Sequence, residues 1–428
     1  MEKYIIMGGN PLSGSVRISG AKNAVLPILA ASILSSGIST INDVPRLRDV
    51  QVMKEVLEFL GCTVEWSGST MKIDSSKVAS IEISDFLMRK MRASNLVMGP
   101  LLSRFAKAKL SFPGGCAIGS RPMDLHLKGL SSMGAEIVEK FGFIETNARQ
   151  GYLKGAEIYL DFPSVGATEN IMMAAALARG TTVISNAAKE PEIVDLQKFL
   201  NSMGARIQGA GSDVITVEGV ENLNSTEHTV IPDRIEAGTF MVAAAITKSS
   251  IKIENVRIKH MEAVIAKLKD IGLTLTEEDG ALLVVGTENM QAVDIKTLPY
   301  PGFPTDMQPQ IISLLATVKG TSIISENIFE NRFKHIDELR RMGADIKVEG
   351  RISIIKGRKK PLSGTFVNAS DLRAGAALVL AGLAAEDATI VDSIYHIDRG
   401  YENFEQKLRG LGAKIIRVTE TTQRGPEK

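Results

Sequence analysis

What most constrains the fold of this chain is that it repeats itself. An apolar helix, a glycine and an alternating strand recur as EVLEFLGCTVEW, LKGLSSMGAEIVE, LQKFLNSMGARIQ, VIAKLKDIGLTLT, IDELRRMGADIKV and FEQKLRGLGAKIIRV. The glycines are Gly61, Gly134, Gly204, Gly272, Gly343 and Gly412, separated by 73, 70, 68, 71 and 69 residues. Four positions before each stands a leucine: Leu57, Leu130, Leu200, Leu268, Leu339 and Leu408. One turn before a left-handed helix end, that leucine points into the core, and the glycine reverses the chain without a Cβ clash. Another helix precedes this one in every unit, and so is the unit's first, as in KNAVLPILAASIL, ATENIMMAAALA and DLRAGAALVLAGL. Several of these are alanine-rich, which favours helix and close packing. Short β-branched runs such as TTVI at 181–184 separate the two helices. Each unit therefore reads strand, helix, strand, helix, strand, with a further short strand in most copies.

Two amphipathic helices and a sheet need a second layer, so the units must cluster. A chain of 428 residues also exceeds one ordinary core and predicts two domains. Six units then divide three to a domain, with the turn-rich stretch Glu227–Pro232 as a boundary. An open solenoid is the alternative. It requires polar end caps, whereas the last unit keeps its full apolar pattern.

Hydrophobic residues make up 44% of the chain, enough for two cores, and charged residues 23%. Fifty basic against forty-nine acidic side chains leave a formal charge of +1, which argues against long-range attraction to nucleic acid. Two cysteines cannot build a disulfide framework, and neither they nor the five histidines show metal-ligand spacing. His126 and His396 lack a second histidine at ligand spacing, so no metal is assigned. The first residues carry no basic leader with a long apolar core. The apolar helices are too short to span a bilayer, and a cytoplasmic protein is the expectation. No Walker or dinucleotide-binding glycine motif occurs, which argues against ATP hydrolysis and hydride transfer.

The repeat also supplies a control, because residues that only fill the unit have equivalents in the other copies. Cys62 corresponds to Ala135, Ala205, Leu273, Ala344 and Ala413, and reads as a packing residue. Cys116 has no such equivalent. It lies in the loop FPGGCAIGSRPMD (112–124), whose glycines and prolines predict a mobile segment, with Arg121 nearby to favour the thiolate. Either it is an incidental loop thiol, or it is a nucleophile or proton donor on a loop that closes over substrate.

Polar residues open several of the first helices: Lys22 and Asn23, Arg92, Thr305 and Asp306, and Asp371 with Arg373. Helix N-termini aimed at a shared cleft offer unpaired N–H groups to phosphate. Arg92, Arg121, Arg332, Arg373 and Arg399 can add bidentate contacts to phosphate or carboxylate, although any one arginine is more often a solvated surface residue. Asp233-Arg-Ile-Glu236 has capping-box spacing and reads as structural. Asp306, stiffened by the prolines of PGFPTD, is either an N-cap or a general base aimed at a hydroxyl.

Taken in order, SGAKNAVLPILAA, GGCAIGSRPMDLH, SVGATEN, FPTDMQPQ, ENRFKHIDELRRMGA, DLRAGAALVLAG and IYHIDRGYE resemble the UDP-N-acetylglucosamine 1-carboxyvinyltransferase family over essentially the whole chain. The resemblance implies transfer of enolpyruvyl from phosphoenolpyruvate to the sugar 3'-hydroxyl with release of phosphate, the first committed step toward peptidoglycan. It implies no cofactor and no nucleic-acid partner. The implied fold is a two-domain inside-out α/β barrel, three units per domain. One domain is formed by residues 1–21 with 230–428 and the other by residues 22–229.

Carried over by residue, Lys22, Arg121 and Arg399 resemble phosphoenolpyruvate or phosphate contacts, and Asn23 a residue that positions substrate and stabilises the intermediate. Arg92 and Arg373 match other cleft positions, with Ile328, Arg332 and Asp371 as further substrate contacts. Asp306 resembles the carboxylate that takes the sugar hydroxyl proton. Arg121, Pro122, Met123, Asp124 and Leu125, with Ser164, Val165 and Gly166, resemble the uridine-diphosphate segments. Some family members carry lysine near Phe162, which implies that one diphosphate contact is absent here. Cys116 resembles the cysteine that acts as acid at carbon 3 or in product release, and that is alkylated by the epoxide fosfomycin. Domain closure would bring the Cys116 loop and Asp306 to the substrate from opposite sides. The rival readings are the sister enzyme acting on shikimate 3-phosphate and a non-catalytic nucleotide-sugar sensor. An RNA-processing enzyme lacks the basic stripe it would need.

Overall fold

The structure, a computed structural model, describes residues 2–112, 123–357 and 361–419, and Arg92 without its side chain. Two compact units divide these residues: 2–19 with 232–419, and 20–112 with 123–231. Each unit has its own apolar core.

The repeated glycine does what its position demands. All six adopt positive φ, from +91° at Gly134 and Gly343 to +120° at Gly272. All six leucines one turn earlier are completely buried. The carbonyls of Leu57, Leu200, Leu268, Leu339 and Leu408 accept from the N–H of the residue after the glycine at 2.9–3.0 Å, the closing bond of a left-handed helix end. Cys62 is buried at the first position beyond this cap, and burial pushes its thiol pKa up.

The first helices of the units are Lys22–Ala31, Met98–Phe105, Val165–Ala175, Arg234–Ile246, Gln308–Leu315 and Leu372–Leu383. Arg234–Ile246 and Leu372–Leu383 are buried almost all round, which explains their alanine and glycine content. Two of the six do not begin as regular α-helix. Arg92–Val97 and Thr305–Met307 are 3-10 turns that lead into Met98–Phe105 and Gln308–Leu315. Proline is the local reason. Pro100 and Pro309 lack an N–H and fit only the first α-turn, so regular helix starts at their doorstep.

Among the described residues, six sheets share one plan. The strand after the second helix pairs with its hairpin partner, that partner pairs with the strand between the helices, and a short parallel strand closes the edge. In the third unit these are Arg206–Gln208, Val214–Glu218, Thr181–Ser185 and Glu157–Tyr159. In the second unit the parallel strand shrinks to a single bridge, Glu82 to Lys109.

Two departures from chain order shape the domains. Ser15–Arg17 precedes the first unit's helix but pairs with Ser250–Glu254 of the fourth. Glu227–Thr229 precedes the fourth unit's helix but pairs with Ile38–Asn42 of the first. The N-terminal strand Glu2–Met7 also lies between Ala388–Asp392 and Lys414–Thr419, filling the hairpin position of the sixth sheet. The chain thus passes from one unit to the other at 19/20 and returns at 231/232.

Candidate active site

In the unit formed by residues 2–19 and 232–419, Asp306 sits on the 3-10 turn at the start of the fifth unit's helix, held by the extended Pro304. Its carboxylate accepts from two arginines. Arg332 Nη2 donates to Oδ1 at 3.0 Å, and Arg373 Nη2 and Nε donate to Oδ2 at 3.1 and 3.3 Å. The guanidinium side chains are 2% exposed and the carboxylate side chain 26%, so the acid faces outward from a buried cationic floor. Arg373 occupies the first turn of Leu372–Leu383, whose N-cap Asp371 accepts from the Arg373 and Ala374 N–H groups. Burial opposes the charge on Arg373, but Tyr401, Asp306 and Asp233 outweigh it and hold the guanidinium above its ordinary pKa. Behind the pair, Tyr401 Oη meets Thr239 Oγ1 at 2.9 Å, and Gln310 Nε2 donates to Tyr401 at 3.1 Å and to the Asp306 carbonyl at 2.9 Å. Burial raises the Tyr401 phenol, which keeps it a neutral hydrogen-bonding group.

Arg399 ends the 3-10 turn Ile394–Arg399. Its neighbour Asp398 is gripped by both Nη atoms of Arg417, and Arg417 Nη2 also donates to Tyr4 Oη at 2.8 Å. The Arg399 turn is thereby fastened to the N-terminal strand. Ile328 lies half-buried in the loop after strand Gly320–Ser325, its N–H donating to Glu326 Oε1 at 2.9 Å.

In the unit formed by residues 20–112 and 123–231, Lys22 is the first residue of its helix and is buried against Asp49, Nζ to Oδ2 2.7 Å. Asn23 follows, half-buried. A second cluster is tied together by Asn170, which is completely buried. Its Oδ1 accepts from Gly99 N at 2.7 Å, and its Nδ2 donates to the Asn95 carbonyl and meets His126 Nδ1, both at 3.0 Å. One side chain so joins the segments that begin at Arg92, Asp124 and Ser164.

Ser164 caps Val165–Ala175 by accepting from Ala167 N at 3.4 Å. Val165 and Gly166 form its half-buried first turn, and a Cβ at Gly166 would stand 3.2 Å from the His126 ring. Asp124 and Leu125 open helix Asp124–Ser132, and Met123 is buried with Asn95 Nδ2 at 2.9 Å from its sulfur. Two helix N-termini joined in this way suit a diphosphate, whose oxygens take up orphan N–H groups.

The sequence-predicted residues thus fall into an Asp306, Arg332, Arg373 and Asp371 cluster, a Lys22 and Asn23 helix start, and a Met123 to Leu125 and Ser164 to Gly166 pair. Cys116, Arg121 and Pro122 lie outside the described residues, as does the Arg92 side chain. The capping reading of Asp233 holds: its side chain accepts from Ile235 and Glu236 N–H. Glu236 does not complete the box, because it is buried on Ser19 N and Lys407 Nζ instead. Sequence reasoning missed Asp49, Tyr401, Gln310 and Asn170. Each is a buried polar residue on a mostly apolar helix or turn, and that mismatch is the signal that could have found them.

The family model described as EPSP synthase (3-phosphoshikimate 1-carboxyvinyltransferase) matches residues 6–408. UDP-N-acetylglucosamine 1-carboxyvinyltransferase 1 of Caldanaerobacter subterraneus subsp. tengcongensis is 58% identical, over 97% of this chain and 99% of the relative. UDP-N-acetylglucosamine 1-carboxyvinyltransferase of Trichlorobacter lovleyi is 54% identical, over 98% of this chain and 100% of its own length. Among solved structures, the enolpyruvyl transferase NikO from Streptomyces tendae aligns with a TM-score of 0.89 at 25% identity, covering 98% of this chain and 99% of its own. EPSP synthase from Acinetobacter baumannii aligns at 0.76 and 19% identity over 98% and 100%, a likeness of fold alone. The two-domain α/β architecture is the one these transferases share. Length, identity and coverage together mean that this chain belongs to the UDP-N-acetylglucosamine 1-carboxyvinyltransferase family of enolpyruvyl transferases.

Proposed function

We infer that this chain transfers the enolpyruvyl group of phosphoenolpyruvate to the 3'-hydroxyl of UDP-N-acetylglucosamine and releases phosphate, the reaction that commits the sugar to peptidoglycan. The observation that carries the reading is the near-full-length identity of 58% to a transferase of that name, in a chain that has Lys22, Cys116 and Asp306. In the chemistry, carbon 3 of phosphoenolpyruvate takes a proton, and carbon 2 becomes electrophilic. The sugar oxygen gives up its proton and bonds to carbon 2. The tetrahedral intermediate then loses a carbon 3 proton as the bond to phosphate breaks.

Asp306 is assigned as acceptor of the sugar proton, its carboxylate held in place by Arg332 and Arg373. Lys22, Arg121 and Arg399 are assigned to balance the carboxylate and phosphate charges, and Asn23, Arg92, Arg373 and Asp371 are assigned as further substrate contacts. Met123 to Leu125, with Arg121 and Pro122, and Ser164 to Gly166 take the uridine diphosphate. Ile328 contacts the sugar. Cys116 serves as acid at carbon 3 or in product release. The compact units 2–19 with 232–419 and 20–112 with 123–231 are proposed as the functional domains. A cytoplasmic location belongs to the same proposal; no helix among the described residues is long and apolar enough to cross a membrane.

The test is phosphate release from phosphoenolpyruvate with and without UDP-N-acetylglucosamine, with shikimate 3-phosphate as the control acceptor. Sugar-dependent release is expected; folded protein that releases none would sink the assignment. Cys116→Asp should retain turnover yet resist fosfomycin. If that variant is still inactivated, the thiol is not the site of alkylation.

A further inference from the structure

The fifth unit breaks its own repeat at one residue, and that residue is a buried carboxylate. In the first, third, fourth and sixth units, the strand between the helices ends on a left-handed residue: Asp43, Asn186, Asn255 and Ser393, with φ of 55°, 54°, 55° and 57°. Asn186 and Asn255 each donate Nδ2 to the carbonyl just beyond the short parallel strand, Leu160 at 2.7 Å and Ile18 at 2.8 Å. In the fifth unit the same bond, to the Thr297 carbonyl at 3.1 Å, comes from Asn327. Strand Gly320–Ser325 ends two residues earlier, so one residue has been added. It is Glu326, completely buried.

An added acid in a core is costly unless donors surround it. Glu326 Oε1 accepts from Thr297 Oγ1 at 2.9 Å, Ile328 N at 2.9 Å and Phe329 N at 3.1 Å, and Oε2 accepts from Thr305 Oγ1 at 3.0 Å. One carboxylate therefore binds the turn that presents Asp306 to the loop that presents Ile328. Arg332 follows on the same loop and completes the circuit by donating to Asp306. We propose that Glu326 is a positioning residue for the nucleotide sugar, fixing the distance between the Asp306 carboxylate and the Ile328 loop. The inference rests on the transfer reaction assigned above. Its physical basis is that a base and a hydroxyl must meet within hydrogen-bond reach, and a shift of about 1 Å can cost about 10²-fold in rate.

Glu326→Gln keeps the shape but sets an amide N–H₂ against donors. Thr305→Val deletes only the hydroxyl on Oε2, and Thr305→Ser returns it. Steady-state kinetics on full-length protein, with folding checked by circular dichroism, separates the outcomes. The expected result for Glu326→Gln is an increase of about tenfold in KM for UDP-N-acetylglucosamine, with a lower kcat and KM for phosphoenolpyruvate within about twofold of wild type. Thr305→Val should shift in the same direction by a smaller factor, with recovery in Thr305→Ser, and it decides the matter should Glu326→Gln fail to fold. Folded variants with wild-type KM, losing kcat only in proportion to lost folded protein, would show a merely structural acid and overturn the proposal. Wild-type protein without sugar-dependent turnover would instead overturn the assigned reaction, and this inference with it.

Discussion

Asp306 keeps about a quarter of its side-chain surface while the two guanidinium groups beneath it keep almost none (26% against 2% each). Asp306→Asn therefore removes the proton acceptor and also strands two buried cations against a neutral amide. Sugar-dependent phosphate release should fall about 10²- to 10⁴-fold in kcat. The urea midpoint should drop as well, by about 1–3 kcal/mol of stability.

Glu169 poses the opposite case within SVGATEN. Burial, then the charges of Glu192 and Glu190, hold its pKa well above the ordinary carboxyl value. The folded chain keeps that proton while the unfolded chain releases it above about pH 4.5, so stability is present in acid and lost as pH rises toward the folded pKa. Glu169→Gln should leave the melting temperature near wild type at pH 5 and raise it at pH 8. An equal shift at both values would refute the buried-proton account.

Sequence reading found Asp306, Arg332 and Arg373 as separate polar residues in turns and at helix starts. That they form one cluster is a contact between residues 26 and 67 positions apart, which no local pattern encodes. Asp49 was missed for the same reason, since its partner Lys22 lies on another helix.

At the scale of elements, local signals carried furthest. Leucine, then glycine four residues on, predicted six helix ends, because a left-handed residue and a buried side chain one turn earlier are both local demands. These positions permit a graded test. At Gly134 (φ +91°) a Cβ would meet nothing within 4 Å, so Gly134→Ala incurs only the left-handed backbone cost, about 1–2 kcal/mol. At Gly61 (φ +105°) the Cβ would also stand 2.6 Å from the Lys77 carbonyl oxygen, and Gly61→Ala should be the more destabilising of the two in urea titration. Helix starts were less legible. The 3-10 turns at Arg92–Val97 and Thr305–Met307 fall where apolar periodicity suggests continuous helix, and Pro100 and Pro309 were the clue.

For the whole molecule, periodicity revealed the number of units but not the exchange of strands between them. Ser15–Arg17 and Glu227–Thr229 are each three residues long, too short to declare a partner, and only the family resemblance pointed to a discontinuous domain. The pairing predicts unequal fragments. Residues 20–231 contain every named strand of their three sheets and should fold alone, with a cooperative melt. Residues 232–428 lack Glu2–Met7 and Ser15–Arg17, strands of two of their sheets, and should stay unfolded until a peptide of residues 1–19 is added. Cooperative folding of 232–428 without the peptide would contradict this account.

The place of Glu2–Met7 also sets an order of events during synthesis. It leaves the ribosome long before its neighbours on both sides, Ala388–Asp392 and Lys414–Thr419. At about 5–20 residues per second that strand waits roughly 20–80 s with both edges open. Residues 20–231 can meanwhile close their sheets as they emerge. The nascent chain thus carries a finished domain behind a still unpaired strand, and holding that strand away from other chains becomes a task for chaperones rather than for the fold.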